Sequence, residues 1–224
     1  MPDLPYPVIA VDGTAASGKS TFSRSLAERL GYVYINTGAM YRGVTWYLQQ
    51  RNVPLQDESA VAHAIASLPL ETTVFNSELA FRIAGIDPLP HAREGHVNEG
   101  VSLVAQVPEV RRLLVAEQQK LALDTALVME GRDIGSVVFP ETPYKFYVDA
   151  SPEVRAMRRQ KQGEADVITQ RDAIDSSRKT SPLIRVGDAI FIDSSHITVE
   201  EMVAGALRHL AERGLNTEAG EVSR

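Results

Sequence analysis

Apolar and polar positions follow two different rhythms along the chain. Val8-Ile9-Ala10-Val11 is an unbroken apolar run, the pattern of a short strand covered on both faces. Phe22, Leu26 and Leu30 then recur every four residues and stop at Gly31, which predicts a helix with a glycine C-cap. Tyr32-Val33-Tyr34-Ile35 predicts a second buried strand. Asn36-Thr37-Gly38 turns into a helix carrying Met40, Val44 and Leu48, which runs to about Asn52 before Pro54 closes it. Ala126 to Met129, Tyr144 to Val148 and Ala189 to Ile192 supply three more strand-like runs. Between them lie a helix opened by Pro108, with Val110, Leu113, Leu114 and Leu121 on one face, and a helix start at Ser151-Pro152-Glu153. Thr198-Val199-Glu200-Glu201 reads as a capping box, followed by an apolar stripe through Met202, Ala206 and Leu210 that Gly214 stops. Strands alternating with helices predict an α/β fold, a five-stranded parallel sheet with helices on both faces.

The rhythm changes between 55 and 100. A short helix, Ser59 to Ser67, precedes two β-rich runs, Leu70 to Phe75 and Leu79 to Ile86, with a turn at Asn76-Ser77-Glu78 between them. Val97 to Val107 predicts a further helix. A hairpin set inside an alternating strand–helix chain marks an inserted lobe, either a cover over a substrate or a decoration. The organisation expected is a core of 1–54 and 101–224 with an insert at 55–100. Arg155 to Arg185 is rich in charge and poor in periodic apolar residues. Such a run is usually a solvated face; beside a phosphate site it reads as a short lid at about 155–185.

Composition narrows the functional classes. The length of 224 residues allows one α/β core with a small insert, and a net charge of -6 argues against a general nucleic-acid or anionic-membrane surface. The chain has no cysteine, which excludes disulfides, thiolate catalysis and zinc–thiolate sites. Met1 to Pro7 lacks the basic and apolar regions of a signal peptide, and no run approaches membrane-spanning length. The expectation is a soluble cytoplasmic protein.

The chemistry gathers at four places. Gly13-Thr14-Ala15-Ala16-Ser17-Gly18-Lys19-Ser20, followed by Thr21, has the spacing G-x-x-x-x-G-K-[ST] between a predicted strand and a predicted helix. Its glycines let backbone N–H groups curl around a polyphosphate. Lys19 is placed for the β- and γ-phosphates, and the Ser20 hydroxyl is a ligand for Mg²⁺. Thr37 and Arg42 follow the second strand, and Glu130-Gly131-Arg132-Asp133 follows the third, so both lie on the ligand-binding edge of a parallel sheet. Arg171, Asp175 and Arg178 share one face if helical. Arginines from separate segments suit two phosphate-bearing substrates, because guanidinium binds phosphate bidentately. The five histidines, His91 and His96 included, have no standard metal spacing and read as structural or surface residues.

Taken together, Gly13 to Thr21, Asn36 to Arg42, the run Glu130-Gly131-Arg132-Asp133-Ile134-Gly135-Ser136-Val137-Val138-Phe139-Pro140, and Arg171-Asp172 with Asp175 and Arg178 resemble bacterial cytidylate kinases. The similarity runs in order along nearly the whole chain, and the Gly131 to Pro140 run is its most specific part. The resemblance implies a three-layer P-loop fold with a β-containing monophosphate-binding insert and a lid. It implies that Arg42, Arg132 and Arg178 hold the acceptor phosphate, that Ser102, Arg111 and Asp133 meet the cytosine, and that Arg171 and Asp175 reach the sugar. Arg155, Arg158 and Arg159 would approach ATP, and Lys19, Arg132, Arg159 and Arg178 would carry the transfer. Asn36, Glu130 and Ser136 stand where the family has Asp, Asp and Thr, and the segment between Arg159 and Arg171 is shorter than in the family.

The reaction implied is transfer of a phosphoryl group from MgATP to CMP or dCMP, by a monomer with small-molecule partners and neither nucleic acid nor membrane. A kinase for UMP or another small acceptor, and an ATP-binding regulatory module, are the alternatives. Asp133 and Arg111 speak against the first, as cytosine readers, and the many arginines against the second.

Overall fold

Along strand β1 (Val8–Gly13), Val8 and Ala10 face one side and Ile9 and Val11 the other, and all four are buried. That two-sided burial is why the run is continuously apolar. In the computed structural model, which describes residues 4–75, 77–161 and 183–217, β1 lies inside a seven-stranded sheet. The other strands are β2 (Val33–Asn36), β3 (Leu70–Phe75), β4 (Glu78–Ile83), β5 (Leu127–Glu130), β6 (Lys145–Asp149) and β7 (Ile190–Asp193). Their order is β3-β4-β2-β5-β1-β6-β7. The five strands β2, β5, β1, β6 and β7 are mutually parallel, as the sequence pattern predicts.

The hairpin β3–β4 is antiparallel within itself and extends this same sheet, β4 pairing in parallel with β2 at Tyr34↔Glu78. Sequence periodicity identifies the hairpin but carries no information about its neighbour, because the pairing is between distant segments.

Helices cover both faces. On one side Phe22, Leu26 and Leu30 of α1 (Lys19–Leu30) and Met202, Ala206 and Leu210 of α7 (Val199–Glu212) pack on Ile9, Val11, Val128, Phe146 and Val148. Gly31 ends α1 at φ +71, and Thr198 and Glu201 form the full reciprocal capping box of α7. On the other side Leu121 of α5 (Pro108–Leu121) joins Val8, Ala10, Ile35, Leu127 and Met129.

A third cluster ties the insert to the core. Met40, Val44 and Leu48 of α2 (Thr37–Gln50) meet Val61 and Ile65 of α3 (Glu58–Ile65), Phe81 and Ile83 of β4, and Val97, Val101 and Val104 of α4 (Gly95–Val104). The helix expected from Val97 to Val107 thus ends at Val104, and Pro108 opens a separate one. Of the expected lid, residues 155–161 fall in α6 (Pro152–Lys161) and 183–185 are described. Arg171, Asp175 and Arg178 lie outside the described residues.

Candidate active site

Because the five core strands are parallel, their C-terminal ends share one edge, where an open α/β sheet places its ligands. β1 ends there in Gly13 at φ +152, and a Cβ at this position would stand 2.0 Å from the Val148 carbonyl oxygen. Only glycine lets the chain leave β1 so close to β6. Beyond it, the Ser17 hydroxyl and Lys19 Nζ both donate to the Thr14 carbonyl, at 3.0 and 2.8 Å, and curl the loop on itself. Thr14 Oγ1 donates to Asp149 Oδ1 at 2.5 Å, fastening the loop to the end of β6. Gly18, at φ +86, leads into α1, whose N-terminus carries no side-chain cap. Its leading N–H groups and positive end are thus directed at whatever anion occupies the loop.

Ser20, in the first turn of α1, donates to Glu130 Oε2 at 2.9 Å. The other oxygen of this buried carboxylate accepts from the Tyr34 hydroxyl at 2.5 Å, and Asn36 Nδ2 donates to that hydroxyl at 3.3 Å. Burial first, then the adjacent Glu130 charge and its hydrogen bond, push the Tyr34 pKa well up, so its proton stays in place as a donor. Asn36 also caps α2, accepting from Ala39 N at 3.0 Å, and Thr37 Oγ1 donates to the Glu130 carbonyl at 2.8 Å.

The segment after β5 carries the next cluster. Arg132 Nη1 donates to the Gly13 carbonyl at 2.5 Å. Asp133 forms an ion pair with Arg111 of α5, each side chain only 7% exposed, and Arg111 also donates to the Ala105 carbonyl at 3.3 Å and lies over the Tyr41 ring. A cavity of about 140 Å³ opens here, bordered by Thr37, Arg42, Ser102, Arg111, Arg132 and Asp133. Every described residue that the sequence reading assigns to the acceptor therefore borders one cavity. Tyr41, which lies inside the Asn36 to Arg42 run but has no role assigned from sequence, also borders it.

A second, larger cavity of about 1040 Å³ is bordered by Ala15, Ala16, Ser17, Gly18, Lys19, Ser20 and Thr21, with Arg158 and Arg159 from α6. Gly13, Thr14 and Arg155 do not border it: Arg155 Nη1 donates to the Ala15 carbonyl at 3.3 Å and its Nε lies 3.8 Å from Asp149. Arg158 donates to Ser194 Oγ and to the Ser194 carbonyl at 2.9 and 2.7 Å, while Ser194 Oγ donates to the Ser17 carbonyl at 2.6 Å. Neither Ser194 nor the insert residues Arg93 and Asn98, which also border this cavity, has a sequence signal that announces it.

Lys19, Ser20, Asn36, Arg42 and Arg132 border both cavities. Two anionic groups held in the two spaces would therefore face each other across a shared cationic wall, a geometry suited to passing a phosphoryl group. His91 stacks on Trp46 at 4.7 Å and pairs with Glu94, in keeping with its structural reading. Among the described residues no group of three or more His, Cys, Asp or Glu side chains could hold a metal by itself.

Comparison with known proteins points the same way. The family model described as "Cytidylate kinase" matches residues 9–212. A cytidylate kinase of Nocardia farcinica is 41% identical over 218 residues, covering 92% of this chain and 94% of its own length. That of Caldanaerobacter subterraneus subsp. tengcongensis is 40% identical over 206 residues, covering 87% and 90%. That of Clostridium tetani is 37% identical over 228 residues, covering 97% and 99%.

Proposed function

The chain belongs to the cytidylate kinase family, and from that membership we propose that it transfers the γ-phosphoryl group of ATP to CMP or dCMP, giving ADP and CDP or dCDP. The observation that carries this reading is the shared wall: one cavity behind it is lined by the glycine loop, the other by the Arg111–Asp133 pair.

In the mechanism we infer, ATP lies in the larger cavity with its phosphates on the loop N–H groups. Lys19 exchanges the Thr14 carbonyl for the β- and γ-phosphates, and Arg159 approaches from α6. The acceptor phosphate lies against Arg42 and Arg132, with Arg178 as the third arginine of the set. Its own oxygen attacks in line, so no general base is needed, and the loose transition state is stabilised by the surrounding cations. In the base pocket Asp133 accepts from the cytosine N4 amino group while Arg111 and Ser102 serve its acceptors. Arg171 and Asp175 take the sugar, and Thr37 orders the turn through the Glu130 carbonyl.

The residues also fit Mg²⁺. Ser20 and Glu130 present hard oxygen donors beside Lys19, and a single carboxylate leaves positions for phosphate oxygens and water, the usual way this ion is held. When bound, the ion would supply positive charge to offset that of the phosphates. The acting unit we propose is a monomer. No helix among the described residues is long and apolar enough to cross a membrane, and we place the enzyme in the cytoplasm.

A coupled ADP-release assay across CMP, dCMP, UMP, AMP and dTMP tests the proposal. CMP and dCMP should exceed the others by at least about tenfold in kcat/KM. Equal turnover of all acceptors, or ADP release independent of acceptor, would overturn it.

A further inference from the structure

We propose that Asp12 is a positioning residue of the acceptor site, its carboxylate setting the direction in which Arg132 and Asp133 point by gripping the backbone just after them. The inference rests on the reading of Arg132 and Asp133 as acceptor-binding residues.

Three consecutive residues of β1 hold the segment that follows β5. The Val11 carbonyl accepts from Gly131 N at 3.0 Å, and the Gly13 carbonyl accepts from the Arg132 guanidinium at 2.5 Å. Between them the two oxygens of Asp12 take separate donors, Oδ1 from Ile134 N at 2.7 Å and Oδ2 from Gly135 N at 2.8 Å. Arg132 and Asp133 are thus bracketed by fixed points on both sides. Ile134 and Gly135 open the single wide helical turn Ile134–Val138, where leading N–H groups have no partner within the turn. A Cβ on Gly135 would stand 3.3 Å from Asp12 Oδ2 and 3.2 Å from the Lys145 stem, so glycine there permits the carboxylate its close approach.

Only a carboxylate presents two acceptors in this orientation. An amide of the same shape would turn an NH₂ group toward one of the two N–H groups. Asp12 is buried, and burial, the largest influence, raises its pKa to about 7; the bonds from Gly135 and Ile134 oppose the rise, Asp133 adds to it and Lys19 opposes it. The other charged groups nearby have partners of their own: Arg132 on the Gly13 carbonyl, and Lys145 on Asp188 and the Pro140 carbonyl. A buried charge is costly to keep. Here it coincides with the segment that carries Arg132 and Asp133, the proposed phosphate ligand and base reader.

The test is Asp12→Asn, assayed for kcat and for KM of CMP and of MgATP from pH 5.5 to 9, with thermal melts as a check on folding. The expected result is a rise in KM for CMP on the order of tenfold, as for loss of one charge-assisted hydrogen bond, with KM for MgATP changed less than about twofold. The acid-side loss of kcat/KM for CMP should also shrink in the variant. Unchanged constants, an equal rise in both KM values, or superimposable pH profiles would overturn the inference. Should the variant fail to fold, calorimetric titration of the wild type decides. CMP affinity should weaken from pH 8 to pH 6 by about fivefold more than that of ATP, whose phosphates titrate in the same range. Parallel pH dependence for the two ligands would count against Asp12. Lack of acceptor-dependent ADP release in the wild type would remove the underlying reading, whereas normal wild-type turnover with an unaltered variant would remove this inference alone.

Discussion

Ser20 and Glu130, 110 residues apart, are joined by a 2.9 Å hydrogen bond at the place where the two cavities meet. The bond ties the first turn of α1 to the end of β5, and its carboxylate is held from the far side by Tyr34. A hydroxyl and a carboxylate so fixed keep a hard-oxygen pair ready without a ligand to organise it.

Glu130→Gln should therefore raise the free Mg²⁺ concentration needed for half-maximal turnover, on the order of tenfold, with a smaller rise for Tyr34→Phe. A Mg²⁺ titration at fixed ATP gives the answer. Identical curves for all three proteins would mean that the pair holds the loop and not the ion.

Lys19→Ala should lower kcat by at least about 10²-fold while leaving the thermal midpoint nearly unchanged. Lys19 Nζ donates to the Thr14 carbonyl, a hydrogen bond worth about 1 kcal/mol and small beside the catalytic effect. Near-normal turnover in the folded variant would sink the assignment of the larger cavity to ATP.

One variant separates the ion pairing of Asp133 from its proposed part in reading the base. Removing it leaves Arg111 buried without its ion-pair partner, which should destabilise the fold by about 3–5 kcal/mol. Base reading shows in a ratio instead: Asp133→Asn should reduce kcat/KM for CMP by ten- to hundredfold and for UMP far less. If both acceptors suffer alike, Asp133 orders the pocket and does not read the base.

Stability should also carry a pH signature from Asp12. Its folded pKa, about 7, lies above the ordinary value of 3.8, so its contribution is fully present below pH 3.8 and is lost as pH rises through 7. Asp12→Asn lacks this loss. Relative to wild type, the variant's thermal midpoint should improve on going from pH 5 to pH 8. A constant difference between the two melts across that range would show that Asp12 is not titrating there.

Much of this was legible in the residues because it is local. The glycine loop, the Gly31 cap, the Thr198–Glu201 capping box and the five apolar runs each depend on neighbours within a few positions. What escaped notice is what distance in the chain conceals. Asp12 reads as the polar end of an apolar strand until Ile134 and Gly135 are seen to meet it. Tyr34 reads as core until Glu130 stands beside it, and Ser194 as a loop serine until it bridges Arg158 and Ser17. The family resemblance supplied the pairing of Arg111 and Asp133 at one pocket; helix and loop periodicity alone gave no reason to join them.

The strand order has a consequence for how the chain comes off the ribosome. β1, which ends in the glycine loop, is hydrogen-bonded on its two sides to β5 and β6, which span Leu127–Glu130 and Lys145–Asp149. At elongation rates of about 5–20 residues per second, the nascent first strand waits many seconds for its partners. During that wait Val8 to Val11 is an unpaired apolar strand, the kind of segment chaperones retain. A fragment ending before residue 127 should be aggregation-prone even though it contains the entire loop, since the sheet's centre closes only after more than half the chain has been made.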